Sequence, residues 1–193
     1  HMDSLKLTEI HIMMEETKDE YPHNILRNMA LQYVESEYFL TLDADFVATP
    51  NASENLCQLI RSDSHLRQEL QNRTLMVLPA FNRNLQTKVD ETNVFQIGNE
   101  KLPKTKKLAM KDWKVHAMEP FHMRKFHYGH GATDFFKWNK GDGTEESFYN
   151  IEYEVGFEPY VLGYKRDVEL PQYWEGFRGY GYNKYTWFVE AYY

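Results

Sequence analysis

Apolar and polar positions along this chain repeat with two different periods, and the switches between them mark out the elements. Leu5–Met14 alternates loosely and predicts a strand. Beyond Pro22 the apolar residues Ile25, Leu26, Met29, Ala30, Tyr33 and Val34 recur at three- and four-residue spacing, which predicts a helix with one face toward a core. Pro22 suits the first turn, and the acidic Asp19 and Glu20 suit the positive end of the helix dipole. Tyr38–Leu42 is a short apolar run ending in an acidic turn. A second helix from about Asn51 to Arg61 would bury Leu56, Leu59 and Ile60. Thr74–Ala80 is continuously apolar, as in a strand covered on both faces. Strand, helix, strand, helix, strand is the rhythm of an α/β fold with a mostly parallel sheet.

The second half is less regular. Lys101–Lys114 is lysine-rich and reads as a solvated loop or a short helix, with phosphate binding the less favoured alternative. Phe121–Gly143 is dense in histidine, glycine and aromatic residues, punctuated by Gly129, Gly131, Gly141 and Gly143. Tyr149–Tyr164 is rich in strand-forming residues, and Trp187–Tyr193 closes the chain without a clear stop signal. No internal repeat is visible.

At 193 residues the chain fits a single domain, spanning 1–193, with His1-Met2 resembling a cloning remnant. The formal charge of −7 argues against a broad nucleic-acid surface. A nucleotide held through one cation and a few local donors stays compatible with it. Aromatic residues reach 16%, which serves a core first and flat carbohydrate ligands second. Cys57 is the sole cysteine, so neither an internal disulfide nor a zinc–thiolate cluster is available. No apolar run reaches membrane-spanning length. Asn51-Ala-Ser and Asn72-Arg-Thr would accept glycans in a secretory compartment.

The strongest candidate chemistry lies at Asp43-Ala-Asp45. In an extended segment alternate side chains share a face, so Asp43 and Asp45 converge. Two carboxylates at the end of an apolar strand are costly unless a positive charge joins them, and a hard divalent cation carrying a phosphorylated ligand would do so. The bland alternative is that both residues open the turn continued by Pro50 and Asn51.

Several segments, in order, resemble glycosyltransferase family 49, the family of the LARGE glucuronyltransferase domain. They are Tyr21-Pro22-x-Asn24-x-Leu26-Arg27-Asn28-x-Ala30, then Tyr38-Phe39-Leu40 running into Asp43-x-Asp45. Leu78-Pro79-Ala80-Phe81 is similar to the family's "(V/L)PAFE", with Asn82 where an acidic residue is usual. Gly129-His130-x-x-Thr133-x-Phe135-x-Lys137-Trp138 resembles "GHAPTNFAKW", Phe157-Glu158-Pro159-Tyr160-Val161 resembles "FEPYVV", and Phe177-x-Gly179-Tyr180-Gly181-x-Asn183-Lys184 resembles "FVGFGWNK".

The resemblance implies a GT-A-like, Rossmann-like fold in an incomplete or minimal version. It implies a UDP-sugar donor, with glucuronate the expected sugar, a glycan acceptor, Mn²⁺ (or Mg²⁺), and inversion at the anomeric carbon. Asp43 and Asp45 then correspond to the Asp-x-Asp metal motif, with Asp43 also on the donor. Asn24, Arg27, Asn28 and His130 are expected near the nucleotide-sugar, although Arg27 is nearly as well explained by a pairing with Glu35 or Asp45. Glu158 is the first candidate for the base that deprotonates the acceptor, with Glu175 and Asp134 behind it. A structural carboxylate bonded to backbone explains Glu158 equally well, and a plain loop histidine explains His130. Trp138, Tyr160 and Trp174 are possible sugar-stacking platforms or core residues. His122 and His127 have no spacing that compels metal binding.

Relative to the family pattern, the match starts at the third strand and ends before a segment containing "HMPH". Two functions are therefore expected from different classes: an active transferase, or a shortened homologue serving as a binding or assembly module. A lectin without nucleotide is a third. An open sheet edge would invite a homo-oligomer or partner strand. The family likeness places the chain in the Golgi or secretory lumen.

Overall fold

The computed structural model describes residues 21–83, 102–141, 148–165, 169–177 and 181–193. The expected Leu5–Met14 strand lies outside the described residues. The chain forms two compact units, His1–Glu37 with Glu169–Tyr193, and Tyr38–Val168.

In the first unit, helix α1 (His23–Gln32) starts directly after Pro22, as the proline predicts. Its buried side is not the expected apolar stripe, because Ala30 and Tyr33 are exposed and Asn24 is the residue that is sealed in. The three polar side chains at i, i+3 and i+4 make the tertiary contacts instead. Asn24 donates to the carbonyl of Trp174 at 2.9 Å, and Arg27 Nη1 donates to Asn24 Oδ1 and to Asn183 Oδ1 at 2.9 and 2.8 Å. Asn28 clamps the backbone of Tyr173 from both sides, donating to its carbonyl and accepting from its N–H, each at 2.8 Å. Beneath this network Tyr173 stacks on the fully buried Trp187 of α7 (Tyr185–Tyr192), whose indole N–H donates to the carbonyl of Pro171. Such a network orders a small unit only if its members are satisfied, and Asn24, Arg27 and Asn28 all find partners here, while Ile25, Leu26 and Met29 are half-buried.

In the second unit, strands β1 (Tyr38–Leu40), β2 (Met76–Leu78) and β5 (Tyr160–Tyr164) form a sheet in the order β1-β5-β2. Both outer strands run antiparallel to β5. The sheet is therefore not the mostly parallel one expected, although the fold is mixed α/β. The physical reason is instructive: β1 and β2 do share a direction, as a helical crossover requires, but a strand from late in the chain is inserted between them. Local periodicity cannot reveal an insertion of that kind.

The crossover is a pair of helices, α2 (Ala52–Ser62) and α3 (Ser64–Gln71), rather than one. Asp63 separates them, and its side chain accepts from the N–H of Leu66 at 2.8 Å, capping α3. Ile60, Leu66 and Leu70 pack against Leu162 of β5 and form the core beneath the sheet. Across the β1–β5 ladder Phe39 faces Gly163, and a Cβ on Gly163 would lie 2.6 Å from the Phe39 ring. The missing side chain is what lets the ring cover the strand.

A second ribbon pairs β3 (Phe81–Arg83) antiparallel with β4 (Met118–Pro120). The lysine-rich stretch resolves into the short helix α4 (Lys106–Lys114), capped by the Thr105 hydroxyl. After the one-turn helix α5 (His127–His130) comes α6 (Phe135–Lys140), and the Phe81 ring is enclosed by Trp113, Phe135 and Trp138, so Trp138 belongs to this aromatic cluster. Tyr149–Pro159 is irregular rather than strand, and Tyr149 anchors it by donating its hydroxyl to the carbonyls of Thr133 and Asp134. Among the described residues, no helix is long and apolar enough to cross a membrane.

Candidate functional site

Strand β1 ends because a side chain takes over its ladder. The N–H of Thr41 still donates to the carbonyl of Val161 at 3.0 Å, but the N–H of Val161 donates to Thr41 Oγ1 at 3.1 Å. Released from the sheet there, the chain turns at Asp43, whose carbonyl accepts from the N–H of Phe46. The backbone here follows the plainer of the two sequence readings. The acidic pair does open a turn, and the turn delivers Asp43 to a neighbouring strand.

The receiving residue is Tyr160, the first residue of β5, which is 4% exposed. Its hydroxyl donates to Asp43 Oδ2 at 2.9 Å. Burial drives the Tyr160 hydroxyl far above its ordinary pKa, and the charges of Asp43, Asp45 and Glu158 add to that effect. Tyr160 is consequently a permanent donor.

Aromatic rings wall this point. Phe46 lies against Tyr160 and Phe121, Phe121 stacks on His122 at 3.8 Å, and the buried His130 stacks on Tyr160 at 5.8 Å. Burial and Lys125 lower the His122 pKa below its usual value, while the Asp45 charge opposes them. His122 thus has its imidazole within reach of the Asp45 charge. Its backbone adopts a left-handed conformation, with φ of 55°, of the sort found where a site over-determines its geometry. The amide of Glu158 donates to the carbonyl of Gly129 at 3.0 Å, tying the carboxylate's segment to the histidine loop.

Of the residues singled out in the sequence, Asp43 and His130 contact Tyr160, and the charges of Asp45 and Glu158 act on its hydroxyl. Asp134 lies in the same unit, where its side chain caps α6 by accepting from the N–H of Lys137. Asn24, Arg27 and Asn28 belong to the first unit and knit it together. Glu175 joins them by accepting from Asn28 Nδ2 at 2.9 Å, and Trp174 is exposed. Tyr160, expected as a stacking platform or a core residue, is a buried ring whose hydroxyl also binds Asp43, and nothing in the sequence marked the parts played by Phe46, Phe121 and His122. One signal was available, since Glu158 and Tyr160 are two residues apart, the same spacing that pairs Asp43 with Asp45.

The family model described as "Glycosyl-transferase for dystroglycan" matches residues 3–193. The chain belongs to glycosyltransferase family 49. It is 31% identical over 164 residues to the glycosyltransferase-like protein gnt14 of Dictyostelium discoideum, covering 85% of this chain and 22% of that protein. With the human xylosyl- and glucuronyltransferase LARGE1 it shares 29% identity over 171 residues, or 88% of this chain and 19% of the relative. The Caenorhabditis elegans glycosyltransferase-like protein LARGE is 27% identical over 184 residues, 92% of this chain and 26% of that one. The chain thus spans 19–26% of the length of these relatives.

Asp43 and Asp45 carry the hard carboxylate oxygens that a divalent cation such as magnesium accepts. Among the described residues no three of His, Cys, Asp and Glu form a ready-made metal cage. Magnesium-like ions do not require one. They are held through one or two carboxylates, with substrate phosphate and water filling the other positions. Asp43 and Asp45 provide that number of hard oxygen ligands.

Proposed function

We propose that this chain carries the transfer centre of a metal-dependent, inverting glycosyltransferase that moves glucuronate from UDP-glucuronate onto a glycan acceptor in the secretory pathway. The observation that carries the reading is the Tyr160–Asp43 hydrogen bond, with Asp45 and Glu158 in the same field. It gives the Asp43 carboxylate a fixed orientation just beyond the end of β1. The human relative's name, xylosyl- and glucuronyltransferase, supports the choice of sugar.

In this reading Asp43 and Asp45 hold the cation, Mn²⁺ or Mg²⁺, which when bound neutralises charge on the departing UDP. Tyr160 fixes the Asp43 carboxylate and, being protonated throughout, takes no proton from substrate. Glu158 is the base. The acceptor hydroxyl attacks the anomeric carbon from the face opposite UDP, its proton passes to the Glu158 carboxylate, and the bond between sugar and diphosphate breaks. Glu158 is preferred to Asp134 and Glu175 because it shares the field of Asp43 and Asp45 at Tyr160, whereas the other two accept hydrogen bonds elsewhere. Buried His130 supports the Tyr160 ring and faces the donor.

Melting temperature measured with Mn²⁺, UDP and UDP-glucuronate, singly and together, tests the reading. A ligand that binds the folded state raises it by mass action. Mn²⁺ and UDP together should stabilise more than the sum of each alone, and Asp45→Asn should abolish the excess. Absence of any shift would favour the shortened binding module over the enzyme.

A further inference from the structure

The register of β1 on β5 conflicts with the contact made just beyond it. Leu40 lies opposite Leu162, so a ladder continued in step would set Thr41 against Val161, Leu42 against Tyr160 and Asp43 against Pro159. Residues directly opposite in an antiparallel pair share a face, and neighbours along a strand alternate between faces. In a continued ladder Asp43 would project from the face opposite to Tyr160. Yet the Tyr160 hydroxyl donates to Asp43 Oδ2 at 2.9 Å. The ladder therefore has to stop before Asp43 while keeping its register up to that point.

We infer that Thr41 is a positioning residue, whose hydroxyl ends β1 and so turns the Asp43 carboxylate to Tyr160. The ligands that this orientation serves rest on the transferase reading above. The turn itself rests on register and hydrogen bonds alone.

In a regular antiparallel pair, two facing residues exchange both of their N–H···O=C bonds. Thr41 and Val161 keep one of these, since the N–H of Thr41 donates to the carbonyl of Val161 at 3.0 Å. The other is diverted. The N–H of Val161 donates to Thr41 Oγ1 at 3.1 Å, in place of the Thr41 carbonyl. The hydroxyl also lies 3.5 Å from the Val161 carbonyl, a weak second contact. Register is thus held while the Thr41 carbonyl is released from the ladder, and the chain can rotate out of the sheet there. Val161 is 1% exposed, so its N–H has no ready access to water. A residue lacking a side-chain acceptor would leave that N–H unpaired or draw the backbone carbonyl back to it. Exposure along the segment fits this role: Leu40 and Leu42 are exposed, while the polar Thr41 between them is half-buried.

The test is NMR of the full chain labelled with ¹³C-tyrosine, without metal or nucleotide. The Cζ resonance of Tyr160, assigned by its loss in Tyr160→Phe, reports the hydrogen bond of the hydroxyl and should be displaced in Asp43→Ala. Thr41→Val should displace it to the same position, and Thr41→Ala, which adds no bulk, should do likewise. Thr41→Ser keeps the hydroxyl and should leave the resonance where it is in the unmodified chain. A loss of stability alone would not move it. Affinity for UDP in the presence of Mn²⁺ should fall roughly tenfold in Thr41→Val and recover in Thr41→Ser. An unmoved Tyr160 resonance in whichever of Thr41→Val and Thr41→Ala folds, or a displaced one in Thr41→Ser, would overturn the proposal. A displaced resonance without Mn²⁺–UDP synergy in the unmodified chain would keep the turn and remove the transferase reading. Synergy that survives Thr41→Val with an unmoved resonance would do the reverse.

Discussion

At the scale of single residues, the account turns on hydroxyl groups that never ionise at working pH. Tyr160 donates to Asp43 from a buried position. Tyr160→Phe keeps the ring that stacks on His130 and removes only that bond. It should cost about 1 kcal/mol in denaturant unfolding, the net value of one hydrogen bond, and it should shrink the Mn²⁺–UDP stabilisation. Unchanged synergy would mean that Asp43 needs no positioning. Tyr149 gives an independent check at alkaline pH. Burial, reinforced by Asp134, pushes its pKa up to about 12 from an ordinary 10. Between those values the unfolded chain loses this proton while the folded chain keeps it, so the unfolded state binds fewer protons and stability falls as pH rises. Ultraviolet titration should show one tyrosine ionising about two units later than the exposed ones, and Tyr149→Phe should remove that late step.

At the scale of elements, the β1–β5 ladder is where the site is made. Gly163→Ala would push a methyl group into the Phe39 ring and Leu75, 2.6 and 2.9 Å away. Overpacking of this kind should destabilise by about 1–3 kcal/mol, read as a lower denaturation midpoint with an unchanged slope. Helix α1, the strand at Tyr38, helix α2 and the turn at Asp43 were all legible, because periodicity, Pro22 and the acidic pair are local signals. The Thr74–Ala80 run became the shorter β2, and β5 occupies only the end of the Tyr149–Tyr164 stretch. The insertion of β5 between β1 and β2 was not legible, since strand order depends on contacts more than a hundred residues apart, such as Phe39 with Gly163. Nor was the inward-facing polar network of Asn24, Arg27 and Asn28, which looks in sequence like a solvated face. The site was half visible for the same reason: Asp43 and Asp45 announce themselves locally, while Tyr160 matters only once the sheet brings it to them.

At the scale of the molecule, family 49 membership rests on residues 3–193 together, and the transfer centre proposed here draws on four separate stretches of the second unit. Asn51 and Asn72 are both exposed, so the two sequons are open to glycan addition. Expression in a secretory host should give a mass that falls on endoglycosidase treatment, and Asn51→Gln with Asn72→Gln should abolish the difference. The most direct test of the central claim is paramagnetic broadening by Mn²⁺ in the NMR spectrum of the isotope-labelled chain, recorded with and without UDP. The account predicts that UDP concentrates the broadening at the amides of Asp43, Ala44, Asp45 and Tyr160, and that Asp45→Asn erases it. Broadening that ignores UDP, or that centres on other carboxylates and spares this turn, would contradict it.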